Sequence, residues 1–151
     1  MFFDYDEVDY YSIDITENDA MKLDSLSKFS KTNQLKYDLI SNDFPDKLYQ
    51  IDFEKKIEKV GYKMKSIGKN DFKSLNKIFI EKTYQDGITF ACIPVYRDIL
   101  IFKKNKKIIG FTKICFDCHQ YVILGSSANT DNFGYDSDYE NLGKILDKYS
   151  N

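Results

Sequence analysis

The chain has 151 residues, which fits one domain able to bury a sizeable core. Its charges nearly cancel, to a net −2, so it is not a uniformly basic nucleic-acid binder. Three cysteines argue against a disulfide framework, and no apolar run is long enough to span a membrane.

Residues 7–14 alternate and predict a first strand. Thr16 with Asp19 three positions on resembles a capping box, which predicts a helix burying Ala20, Leu23 and Leu26. The polar run 30–34 should break that helix. Residues 35–53 show no clear period apart from a turn at Asp43-Phe44-Pro45-Asp46. Residues 56–67 read as a strand with Lys59, Lys63 and Lys65 outward. Asn70 or Asp71 then caps a helix with Phe72, Leu75, Ile78 and Phe79 inward, and Asp86-Gly87 ends it. Residues 88–91 lead through Pro94 into a hairpin. Ser137 with Glu140 opens a terminal helix that buries Leu142, Ile145 and Leu146.

The hairpin, over about 95–122, is the centre of the expected fold. Both arms are rich in Ile, Val, Phe and Tyr, around the polar turn Lys104-Asn105-Lys106. A two-residue loop at Asn105-Lys106 pairs Leu100 with Phe111, Asp98 with Lys113 and Tyr96 with Cys115. A bulge would swap the faces of one strand. Both faces are apolar near the turn, so both should be covered. The prediction is a single α+β domain: a mostly antiparallel sheet with this hairpin at its centre and three helices.

The wider stretch 91–125 holds every cysteine, the sole histidine and the sole arginine. Cys115-Phe-Asp-Cys118-His119 matches a haem-attachment string, but a distal histidine or an export signal is not encoded. A zinc site of Cys92, Cys115, Cys118 and His119 is the alternative metal reading. Against it, a regular strand aims Cys115 and Cys118 to opposite faces, and a knuckle needs a turn. The preferred reading has no cofactor and the cysteines as small buried hydrophobes. The acidic start of the chain does not look like a signal peptide, so the expected location is cytoplasmic with reduced thiols. Arg97 beside Asp98 reads as a structural ion pair.

Charge is segregated along the chain. Residues 1–26 hold eight acids against Lys22 alone, and residues 114–141 hold five acids with no Lys or Arg. The middle is lysine-rich, which leaves nucleic-acid binding as a further alternative that the acidic balance and the lack of a motif argue against. Acidic surface suits a basic protein partner. The candidate contacts are Asp131, Tyr135, Asp136, Asp138 and Tyr139, with the loop 129–135 supplying adaptable hydrogen bonds.

The string Cys92-x-Pro94-x-Tyr96-Arg97-Asp98, with Gly110 and Lys113-Ile114-Cys115-Phe116-x-Cys118, resembles a pattern in small bacterial proteins of the Bacteroidetes type. The likeness extends to Phe133-Gly134 and the tail helix. It implies a non-enzymatic immunity protein that binds and neutralises a toxin.

Overall fold

The computed structural model describes residues 1–87, 91–135 and 137–150. Five strands form one antiparallel sheet: β1 (Glu7–Ser12), β2 (Lys63–Ser66), β3 (Asp98–Lys104), β4 (Lys107–Cys115) and β5 (Gln120–Leu124), in the order β2-β1-β3-β4-β5. The expected α+β domain with a central hairpin is present. β3 lies in the middle, and it is apolar on both faces because both are covered. Leu100 and Phe102 enter one core and Ile99 and Ile101 the other, and all four are fully buried. Side chains of this size each contribute about 1.5–3 kcal/mol when buried.

The described helices are α1 (Glu17–Met21), α2 (Leu23–Ser27), α3 (Lys31–Ser41), α4 (Phe72–Ile78) and α5 (Asp138–Leu146). Leu75 and Ile78 of α4 and Leu142, Ile145 and Leu146 of α5 fill the first core with Phe2, Phe3 and Phe79. Ala20, Leu23, Leu39 and Ile40, from α1 to α3, fill the second core with Phe53, Ile57 and Val60.

Local chemistry explains most element boundaries. The Thr16 hydroxyl accepts from the Asp19 backbone N–H at 3.1 Å, as the capping box predicts. The run 30–34 does the reverse of what was expected. Ser30 accepts from Asn33 N at 3.1 Å and starts α3 instead of ending a helix. Leu26, expected to be buried, is 44% exposed, while Leu23 and Ser27 are the buried residues of α2. Of the strand expected over 56–67 only Lys63–Ser66 forms. Short 3-10 turns at Glu54–Lys56 and Glu58–Val60 bury Ile57 and Val60 by helical spacing.

The hairpin turn is as predicted, with Asn105 and Lys106 both at positive φ (49° and 64°) and Lys104 opposite Lys107. A bulge between Phe102 and Lys103 then shifts the register by one residue. Phe111 faces Ile101, and Lys113 faces Ile99 instead of Asp98. The shift places Gly110 beneath the Phe3 ring, where an added Cβ would lie 2.5 Å from ring carbons. It also turns Lys113 toward α3. The second arm is not one strand to residue 122. It ends at Cys115, turns through 116–119 with His119 at φ 49°, and returns as β5, with Gln120 opposite Cys115.

The sheet also redistributes the charge blocks. β1 pairs with β3, so the acidic start lies beside the lysine-rich tip. Lys103 binds Asp9 at 2.6 Å and also Glu54; burial acts to lower its amine pKa, but the bonds and charges of these two carboxylates outweigh it and leave the pKa raised. Lys104 pairs with Asp4 at 3.1 Å, and Asp6 accepts from Asn105 N at 3.0 Å. Those acids serve the fold.

Candidate functional site

A cleft of about 580 Å³ opens where the β4–β5 turn meets the loop before α5. Its wall is aromatic: Tyr121, Phe133, Tyr135 and Tyr139, with His119. Asp86 and Asp131 supply carboxylates, and the described lining has no lysine or arginine. Phe133 is anchored in the core, stacked on Phe79 at 5.3 Å and edge-on to Tyr121 at 4.9 Å. The Tyr121 hydroxyl donates to the carbonyls of Thr130 (2.8 Å) and Asp131 (2.9 Å), which holds the rim of the loop. Burial raises the Tyr121 phenol pKa, and the Asp131 carboxylate adds to the shift. His119 stacks on Tyr139 at 4.5 Å with rings only 11° from parallel.

The structure brings Asp131, Tyr135 and Tyr139 of the expected contact set to this one cleft. It corrects two of the roles. Asp138 is not a surface acid: it is 2% exposed, binds Lys82 at 2.7 Å and accepts from Gly134 N at 3.1 Å. With Asn132 Nδ2 donating to the Lys82 carbonyl at 2.9 Å, this ion pair pins the loop. Tyr139 is 8% exposed, a wall of the cleft and not a projecting anchor, because helical spacing puts it one position from the buried Asp138 and three from Leu142. Its hydroxyl is buried without a hydrogen-bond partner among the described residues. Asp136 lies outside the described residues. Tyr121 was not nominated from sequence, and His119 only as a zinc ligand; their place beside a turn was hidden by reading β4 as continuous.

The cysteines also depart from expectation. Cys92 and Cys118 form a disulfide, their Cα atoms 5.9 Å apart, so they are not all free thiols. The bond ties the segment before β3 to the β4–β5 turn. The C-x-x-C string does lie on a turn, but the Cys92 and Cys118 sulfurs are bonded to each other and not poised as zinc ligands. No group of three or more metal-ligating side chains converges among the described residues. Cys115 is a buried thiol that accepts from Val95 N at 3.4 Å.

Arg97 and Asp98 do not pair with each other. Neighbours on a strand point to opposite faces. Arg97 instead bonds Asp117 at 2.8 Å and the Ile15 carbonyl at 2.9 Å. Asp98 accepts from the Tyr10 hydroxyl at 2.6 Å. Burial pushes its pKa up to about 6, against the opposing effects of that bond and of Arg97.

Lys113 is a polar centre that the sequence did not single out. It is fully buried in an apolar strand, with Nζ donating to the carbonyls of Asn42 (2.5 Å), Phe44 (2.7 Å) and Leu39 (3.1 Å). It caps the C-terminal end of α3 and lies 4.4 Å from the centre of the Tyr96 ring. Burial lowers its pKa to about 7, although Asp43 and Asp38 act in the other direction.

No family model, curated protein or solved structure matches the chain.

Proposed function

We propose that the chain is a small non-enzymatic binding protein, an immunity protein that neutralises a toxin by seating a cationic side chain of that toxin in the cleft. The observation that carries this reading is the composition of the cleft. Two carboxylates stand with four aromatic rings, and lysine and arginine are missing from the described lining. A guanidinium or ammonium group gains from both, through charge-assisted hydrogen bonds and through the ring faces. Rigid aromatic walls also lose little entropy on binding. The polar groups that could have served chemistry have structural partners: Lys113 caps a helix, Asp98 holds Tyr10, and Cys118 is in a disulfide. At the hairpin tip Lys103 and Lys104 are paired to carboxylates, which removes two of the lysines that the nucleic-acid alternative would use.

The test is binding to the protein encoded next to this gene, with protection of cells that express it. Asp131→Asn with Tyr135→Ala should weaken binding at least tenfold and leave the melting temperature within about a degree. Association should slow as salt rises. Unchanged affinity of the double variant overturns the assignment of the cleft. Failure to protect cells overturns the immunity reading.

A further inference from the structure

On the opposite side of the sheet a second hollow, of about 380 Å³, lies between α3 and the 3-10 turns at 54–60. Its floor is apolar: Leu35, Phe44, Phe53 and Val60. Lys31, Lys56 and Lys59 stand around it, with one carboxylate, Asp52. Among the described residues Lys31, Lys56 and Lys59 have no carboxylate within ion-pair distance, as is also true of other exposed lysines such as Lys63 and Lys65, whereas Lys82, Lys103, Lys104, Lys144 and Lys148 are paired. Three like charges held around one apolar hollow repel one another, and a bound anion would relieve that repulsion. Lys31 and Thr32 are also the first two residues of the eleven-residue α3, whose N-terminal end favours negative charge.

We infer that this hollow is a binding site for a small amphipathic anion, a carboxylate on an unbranched acyl chain. The apolar floor takes the chain and the lysines take the head group. Its volume lies in the range of small-molecule pockets and suits a chain of roughly ten carbons. A folded protein partner would instead need a contact surface of about 800 Å² on each side, for which a hollow of this size is only a fragment. The site is independent of the aromatic cleft.

The probe is decanoate, below its micelle concentration, titrated into ¹⁵N-labelled full-length protein. Decyltrimethylammonium and an acidic nonapeptide serve as comparison ligands. Saturable binding of one decanoate per chain is expected, with shifts confined to residues around Leu35, Phe53 and Val60. The exposed triple substitution Lys31→Gln, Lys56→Gln, Lys59→Gln should weaken it at least tenfold without lowering the melting temperature. Leu35→Glu should abolish it, and retention of the wild-type spectrum elsewhere would show that this variant folds. Decanoate that fails to saturate, binds the triple variant as well, or is matched by the cationic amphiphile would overturn the inference. So would tighter binding of the acidic peptide, which would make the hollow a protein-docking site.

Discussion

Lys82 Nζ lies 2.7 Å from Asp138 Oδ2, with the two side chains only 9% and 3% exposed. Both ends of this bridge also hold backbone: Asp138 accepts from Gly134, and Lys82 donates to the Ile78 carbonyl at the end of α4. The pair therefore joins α4, the cleft loop and the start of α5. Asp138→Asn leaves a buried ammonium without its carboxylate and should cost about 3 kcal/mol. Asp131→Asn, at an exposed carboxylate, should cost under about 0.5 kcal/mol. Urea denaturation of the two variants checks the contrast, and equal stability would refute the structural role of Asp138.

Lys113 predicts an unusual rise of stability with pH. Its folded pKa of about 7 is below the value near 10.4 of an unfolded lysine. Below pH 7 both states are protonated and the burial penalty is fully present. Between about pH 7 and 10 the unfolded state holds a proton that the folded state lacks, so unfolding becomes harder as pH rises. The limiting slope is about 1.4 kcal/mol per pH unit. Lys113→Met should flatten the profile measured by denaturant melts at pH 7, 8 and 9. It also strips the α3 carbonyls of their donor, which costs about 1–3 kcal/mol.

Arg97 and Asp98, adjacent in sequence, should behave oppositely when replaced. Arg97 is 27% exposed and its partner Asp117 63%, so the bridge is screened by solvent. Arg97→Ala should cost about 1–2 kcal/mol, including the lost bond to Ile15, and not the larger penalty of a buried pair. Asp98 has a folded pKa of about 6, above its unfolded value. Its contribution is fully present below about pH 4 and is lost as pH rises through 6. Asp98→Asn stays neutral and still accepts from Tyr10. It should stabilise the protein by about 1–2 kcal/mol at pH 7 and by little at pH 4. A loss of stability at pH 7 would contradict this.

The Cys92–Cys118 bond closes a loop with a sequence separation of 26 residues. Chain-entropy reasoning gives it about 3 kcal/mol. Cys92→Ser with Cys118→Ser, or a reducing agent, should lower the melting temperature by several degrees. Cys115→Ala should leave the disulfide intact, as intact-mass analysis after alkylation would show. A melting temperature indifferent to reductant would mean that the bond contributes nothing to the fold.

The turn of the hairpin was legible because Asn105 and Lys106 carry it locally, and the capping at Thr16 was legible for the same reason. The register was not, since one bulge residue changes the facing of everything beyond it. The α3 start was misread because a polar run can either break a helix or cap one, and the choice depends on what Leu39 and Ile40 bury against. The acidic run pointed to the loop that lines the cleft. It could not separate Asp131, which faces solvent, from Asp138, which is folded inward on Lys82.

By itself, then, the sequence determined the α+β class, the central hairpin and the terminal helix, because periodicity and turn chemistry act over a few residues; the Ser137 side-chain cap expected for that helix does not form. Tertiary structure alone decided which acids are surface and which are core, how the acidic start neutralises the lysine-rich tip, and which cysteines meet. Those outcomes depend on contacts between residues 20 to 100 positions apart, such as Cys92 with Cys118 and Asp4 with Lys104. No local pattern encodes such a separation. It is set by the order β2-β1-β3-β4-β5, which exists only once both faces of the sheet are buried.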